Sequence, residues 1–274
     1  VRLPLDIQFI FTSNPEDYTN RGTIVTPLKD RVGSQILTHY PESIEIAKKI
    51  TIQESKIDSE LGAKIHIPEV ARDIIEQISF EARESDLVDR KSGVSARMSI
   101  TSLQNLVSSA ERRMIINKEA KTSIRMSDFS SVISSINGKV ELVYEGEEEG
   151  AEQVSYNLIS SAVKSIFNKY FPKIEKLTKP DEITPYDSLL NWFSNKQLVI
   201  NDNLNNKDYE NLLNEVIDAK KLIKKYIPEL NDDDELFFVE FILWGLESYN
   251  KLSILRTNNG IEYKDPFNNF INKI

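Results

Sequence analysis

The sequence predicts a mainly helical protein that begins with a short β segment, and two observations carry this. Asp6 to Thr12 (Asp-Ile-Gln-Phe-Ile-Phe-Thr) is rich in β-branched and aromatic residues. It is almost continuously apolar, as a strand buried on both faces is. From residue 68 onward, apolar residues instead recur four apart over long windows, the spacing of one helix face. The composition, 40% hydrophobic and 28% charged over 274 residues, is that of a globular chain long enough for one large domain or two ordinary ones.

The opening strand stops at Ser13-Asn14-Pro15. Proline cannot donate to a β-ladder and biases its predecessor toward extended geometry. Asn20-Arg21-Gly22 is a turn signal. Thr26-Pro27 reads as an N-cap followed by proline at the first helical position, opening a short helix through Leu28 to Arg31. Ser34 to Tyr40 predicts a second short strand, ended by Pro41. Pro41 to Ser55 predicts a helix with Ile44, Ala47 and Ile50 on its apolar stripe, and Ile65-His66-Ile67 an extended segment.

Pro68 to Arg83 predicts an amphipathic helix through Val70, Ile74, Ile78 and Ala82. A charged connection, Glu84 to Gly93, leads to a helix from about Ser99 to Asn117, with Ile100, Leu103, Val107, Ala110 and Met114 on one face. Ser127-Asp128 caps a further helix through Ile136, ended by Asn137-Gly138. Lys139 to Tyr144 alternates like a strand or extended arm, and Glu145 to Glu149 reads as a solvated acidic linker. Gln153 to Tyr170 predicts a long helix, with Val154, Leu158, Ala162 and Ile166 spaced four apart. Lys173 to Thr184 is a polar, proline-bearing linker and the clearest boundary. Beyond it, Pro185 to Asn195, Lys207 to Tyr226 and Asp232 to Lys251 predict three helices. The last opens on carboxylates, which suit a helix N-terminus, and its Phe237, Phe238, Phe241, Ile242 and Trp244 predict a bundle core.

Composition also excludes several chemistries. With no cysteine there is no disulfide, thiolate metal site or cysteine nucleophile. Two histidines, His39 and His66, in separate segments exclude a histidine-rich zinc site. A formal net charge of -9 argues against a nucleic-acid partner. No run approaches the roughly 20 apolar residues that span a bilayer. No secretory signal opens the chain, so a cytoplasmic location is expected, with no membrane partner. The chain reads as a piece of a longer protein, since it starts without Met.

Three residues invite a chemical reading. Asn14 ends a buried strand, where a neutral amide can donate to a γ-phosphate oxygen and orient a water. Its simpler role is a local turn, which spacing alone favours. Arg31 follows Asp30 at the end of a helical turn; its rigid fork suits phosphate oxygens, or the two residues form an ordinary surface pair. Arg97 sits just before a strong helix, where the macrodipole disfavours a cation. A bound polyphosphate or a nearby carboxylate would hold it there.

Thr12-Ser-Asn14-Pro-Glu16, then Leu28-Lys-Asp30-Arg31, then Gly93-Val-Ser-Ala-Arg97 resembles the AAA+ ATPase module, in particular the magnesium-chelatase ATPase subunit and its MoxR-like relatives. The similarity covers roughly residues 1 to 135. It implies that Asn14 is the sensor-1 residue, Arg31 an arginine finger with Asp30 beside it, and Arg97 the sensor-2 arginine at the start of a lid helix. The family's Leu-Asp-Arg-Phe is Leu-Lys-Asp-Arg-Val here, and Arg21 is a rival finger in the same loop.

On this resemblance, residues 1–55 are the end of an α/β AAA+ core, 56–140 a helical lid, 141–180 a long helix and linker, and 181–274 a helical C-terminal domain. No Gly-x-x-x-x-Gly-Lys-Ser/Thr occurs, and no apolar strand ends in an Asp-Glu pair. ATP and Mg²⁺ are therefore expected to be held mainly by residues upstream of Val1, and this chain alone to be inactive as an ATPase. The resemblance further implies a homo-oligomeric ring, a partner with a von Willebrand-type domain, and coupling of ATP hydrolysis to metal insertion or partner remodelling. The competing expectation is a non-catalytic helical interaction module.

Overall fold

The computed structural model describes residues 6–12, 26–90, 92–175, 184–257 and 259–266. The chain forms two compact units, residues 1–40 and 41–274. In the first, the described residues hold one helical turn, α1 (Thr26–Lys29). It is closed by the Asp30 N–H donating to Thr26 O and the Arg31 N–H to Leu28 O, both at 3.0 Å. Asp6 to Thr12 and Ser34 to Tyr40 form no strand, and Phe9, Ile10, Phe11, Ile36 and Leu37 are exposed. This corrects the expectation of two strands. A strand is stable only when a neighbour pairs its N–H and C=O groups, and the described residues of this unit provide no such neighbour.

The second unit is mainly helical. It opens with α2 (Ile44–Glu54), whose Ile46 N–H donates to the Ser43 cap at 3.3 Å, and α3 (Ser59–Gly62). The short β1 (Ile65–His66) follows, pairing in parallel with the later β2 (Thr122–Ser123). Between them lie α4 (Glu69–Glu84) and α5 (Arg97–Ile116). Helix α4 buries its predicted stripe, Val70, Ile74, Ile78 and Ala82, and α5 buries Leu103, Val107, Ala110 and Met114 of its own, with Ile100 half-buried.

After β2 comes a 3₁₀ segment, Met126–Val132, before the short α6 (Ile133–Asn137). The single helix expected from Ser127 is thus a tighter turn first, because Asp128 folds back to accept the Arg125 N–H at 2.8 Å. The acidic stretch expected as a linker is α7 (Tyr144–Glu149). Its Glu145 and Glu147 sit in the first turn, where the helix dipole favours carboxylates. Then come α8 (Ala151–Tyr170), α9 (Asp187–Asn195) and β3 (Leu198–Asn201). The helix expected over Lys207 to Tyr226 is two, α10 (Asn206–Asn214) and α11 (Ile217–Tyr226), joined at a buried Val216. Last are α12 (Asp232–Ser248), β4 (Ser253–Thr257) and β5 (Gly260–Lys264).

Strands β3, β5 and β4, in that order, make an antiparallel sheet inside the region expected to be wholly helical. The signal for it is Asn259-Gly260 between alternating Ile254 and Arg256 on one side and Ile261 and Tyr263 on the other, a hairpin pattern. A Cβ at Gly260 would come within 2.2 Å of Ile200 O, so the β3–β5 register requires glycine there.

One core runs from Ile65 to Tyr263. Helix α8 packs against both α4 and α12, which joins the two halves. At the α8–α12 contact the Phe167 ring lies 5.0 Å from that of Phe171 and 5.9 Å from that of Phe241. It rests on Gly245, where a Cβ would stand 2.2 Å from Phe167 Cδ2. Gly245→Ala is expected to destabilise the protein by about 1–3 kcal/mol through overpacking, less up to ~1 kcal/mol of helix propensity gained. Urea denaturation measures the difference; a more stable variant would show that the ring is free to move aside.

Four buried charges pin the segment after β2. Arg113 pairs with Asp128 and donates to Ser123 O at 2.7 Å. Arg125 donates to Leu204 O at 2.7 Å and lies 3.9 Å over the Tyr209 ring, and burial beside Arg113 lowers its pKa to about 10. Glu240 accepts from Tyr209 Oη at 2.8 Å, Tyr263 Oη at 2.9 Å and the Met126 N–H at 3.0 Å. Each of the four is at most 4% exposed.

Candidate functional site

The expected site residues fall in different parts of the chain. Asn14, and Arg21 as the rival to Arg31 for the finger, lie outside the described residues. Asp30 and Arg31 belong to the first unit and are exposed directly after α1. Arg97 belongs to the second unit, where it opens α5. No group of three or more His, Cys, Asp or Glu that would hold a metal ion occurs among the described residues.

The start of α5 is built as a fixed platform. The incoming loop is clamped by the arm read from sequence as Lys139 to Tyr144. The Asp89 N–H donates to Glu141 O at 2.9 Å, the Val143 N–H to Leu87 O at 3.1 Å, and Val88 bridges Leu142. Gly146 allows this approach, since a Cβ there would lie 2.5 Å from Leu87 O. Gly93 turns the chain with φ of 70°, a region costly for other residues. Val94 and Met98 are both buried, one on each side of Arg97. Arg83 donates to Val94 O at 3.4 Å, and the Ser79 and Ser99 hydroxyls share a hydrogen bond of 2.7 Å, which ties α5 to α4. Behind them burial raises the Glu76 pKa, while hydrogen bonds from Thr51 and Ser99 oppose the shift.

On this platform Arg97 is exposed. Its N–H donates to Ser95 Oγ at 3.2 Å, and its carbonyl accepts from Thr101 Oγ1 at 2.8 Å. Its guanidinium makes no hydrogen bond or ion pair among the described residues. The first turn of α5 holds no acidic residue, and Ala96 at the cap position offers no side-chain cap. A cation therefore stands at the positive end of a 20-residue helix without a compensating carboxylate.

A second polar site lies at the other end of α5, and sequence reasoning missed it. Its signal is the Arg112-Arg113 doublet in a helix with one apolar face. Arg113 turns inward to Asp128 and Arg112 stays exposed. Arg112 and Asp202 line two adjoining hollows, of about 260 and 480 Å³. Ser109, Asp128 and serines of the 3₁₀ segment complete the smaller one and Asn201, Asn203 and Asn259 the larger. Burial raises the Asp202 pKa, as does the Asp128 carboxylate, against the pull of Arg112 and Arg113.

Comparison with protein-family models, curated proteins and solved structures gives no match to this chain. Among the described residues, no helix is long and apolar enough to cross a membrane.

Proposed function

We propose that the chain is the C-terminal part of an oligomeric AAA+ ATPase of the magnesium-chelatase and MoxR-like group, with Arg97 contacting nucleotide phosphate as its sensor-2 residue. The observation that carries this reading is the uncompensated guanidinium of Arg97 at the rigid start of α5. A lone cation there costs about 0.3–1 kcal/mol against the helix dipole, and a polyphosphate reverses the sign by supplying the missing negative charge. Of the two explanations for an arginine at this place, the carboxylate is not met: no carboxylate pairs with Arg97 among the described residues. The Leu28-Lys-Asp30-Arg31 and Gly93-Val-Ser-Ala-Arg97 motifs support the same reading.

On this reading ATP and Mg²⁺ are bound mainly by residues upstream of Val1, Asn14 acts as sensor 1, and Asp30-Arg31 serves the site of a neighbouring subunit. The assembled cytoplasmic ring, with a von Willebrand-type partner, couples hydrolysis to metal insertion or partner remodelling. In the full-length protein, Arg97→Ala is expected to weaken ATP binding about tenfold, the loss of one charge-assisted contact. Arg97→Lys restores only part of it, since an ammonium lacks the bidentate fork. Titration with a fluorescent ATP analogue measures both. If both variants bind ATP like the parent, Arg97 is not a sensor; if the full-length protein binds no nucleotide, the chain is the helical interaction module instead.

A further inference from the structure

We propose that the cleft between Arg112 and Asp202 binds a small zwitterion of the α-amino-acid type, its carboxylate on Arg112 and its ammonium on Asp202. Both side chains line the same hollow, yet they do not pair with each other. Neither makes a side-chain hydrogen bond or ion pair among the described residues. Asp202 is held in place through its backbone, whose N–H donates to Asn259 O at 3.0 Å. Ser127 provides an independent sign of a ligand. It is 5% exposed and lines the cleft, and its hydroxyl has no hydrogen-bond partner among the described residues. The neighbouring hydroxyls are committed, Ser130 donating to Ser127 O and Ser131 to Asp128 O, both at 2.7 Å. A hydroxyl left unused on the wall of a cleft of about 260 Å³ is placed for a polar ligand.

The charges decide the class. Asp128 already accepts from Arg113, from Ser109 Oγ at 2.9 Å and from the Arg125 N–H at 2.8 Å. An inorganic anion on Arg112 would face the Asp202 carboxylate and that of Asp128, which also lines the cleft. A metal cation would find one uncommitted carboxylate and a facing guanidinium. A ligand that carries both charges satisfies Arg112 and Asp202 together, and the amides of Asn201, Asn203 and Asn259 in the adjoining hollow suit a polar side chain. The inference is independent of the nucleotide reading, since it uses the opposite end of α5.

The test is a ¹H–¹⁵N NMR titration of the chain with L-glutamine. N-acetyl-L-glutamine, which lacks the ammonium, and L-glutaminamide, which lacks the carboxylate, are parallel arms that also mimic the two ends of a polypeptide. Inorganic phosphate and magnesium chloride are run alongside. L-glutamine is expected to shift the Ser127, Ser131 and Asp202 amides saturably, and each single-charge analogue to bind about tenfold more weakly. Arg112→Ala and Asp202→Asn are each expected to weaken L-glutamine about tenfold, and Arg112→Ala to leave L-glutaminamide unchanged. The proposal is overturned by the absence of saturable shifts, by variants that bind L-glutamine like the parent, or by phosphate or magnesium reproducing the shifts. It is also overturned if either analogue binds as well as L-glutamine, which would make the ligand a chain end.

Discussion

Arg113→Ala is expected to destabilise the protein by about 3–5 kcal/mol, read as a lower urea midpoint with an unchanged slope. Arg113 is 2% exposed, on the inner face of α5, and its guanidinium does two things. It neutralises Asp128, which is 4% exposed, and it donates to Ser123 O on β2 at 2.7 Å. Truncation leaves the carboxylate with Ser109 and one backbone N–H and leaves the Ser123 carbonyl without this donor. An unpaired buried charge costs more than the pair ever contributed. The double variant Arg113→Ala with Asp128→Asn should therefore recover part of the loss. The coupling energy of that double-mutant cycle separates the charge effect from lost packing. A loss below about 1 kcal/mol for Arg113→Ala would mean that water in the adjoining cleft screens the Asp128 charge.

The same network shows what could be read from the sequence and what could not. Regular helices were legible where one face repeats. The stripe of α4 is buried as its spacing predicts, that of α5 from Leu103 onward, and so are Phe237, Phe238 and Phe241. Periodicity reports local burial only. It did not reveal that Glu240, in the midst of that aromatic run, carries a carboxylate to Tyr209, Tyr263 and Met126, because those partners are distant in sequence. Nor did it reveal the C-terminal sheet, whose Asn259-Gly260 turn was visible but whose edge β3 lies some 60 residues earlier. Asp6 to Thr12 went the other way. Its residues favour a strand, but a strand needs hydrogen-bonding neighbours, and propensity does not supply them. Among the candidate site residues, the position of Arg97 was legible because a cation at a helix start breaks a local rule. Arg112 was not, because its meaning depends on Asp202 across the cleft.

If the AAA+ reading holds, Arg31→Ala in the full-length protein lowers ATP turnover about 10³-fold or more and leaves ATP affinity unchanged, the mark of a group that acts on the transition state in a neighbour's site. Arg31 is exposed at the end of α1 with its backbone N–H anchored on Leu28 O at 3.0 Å, so alanine removes the guanidinium without touching the turn. A finger supplied in trans makes a further demand. Subunits carrying Arg31→Ala keep their own nucleotide grip, and subunits lacking the P-loop lysine keep their finger. Each homogeneous ring is inactive. Rings mixed in equal proportion recover about a quarter of the sites, because a head-to-tail interface brings an intact grip against an intact finger with that frequency. Arg97→Ala rings mixed with the P-loop variant recover nothing comparable, since a sensor-2 arginine works in the site of its own subunit. Recovery in the Arg97 mixture but not in the Arg31 mixture would exchange the two roles. Unchanged turnover of the Arg31→Ala ring would remove Arg31 from the reaction and leave Arg21, in the same loop, as the arginine to replace next.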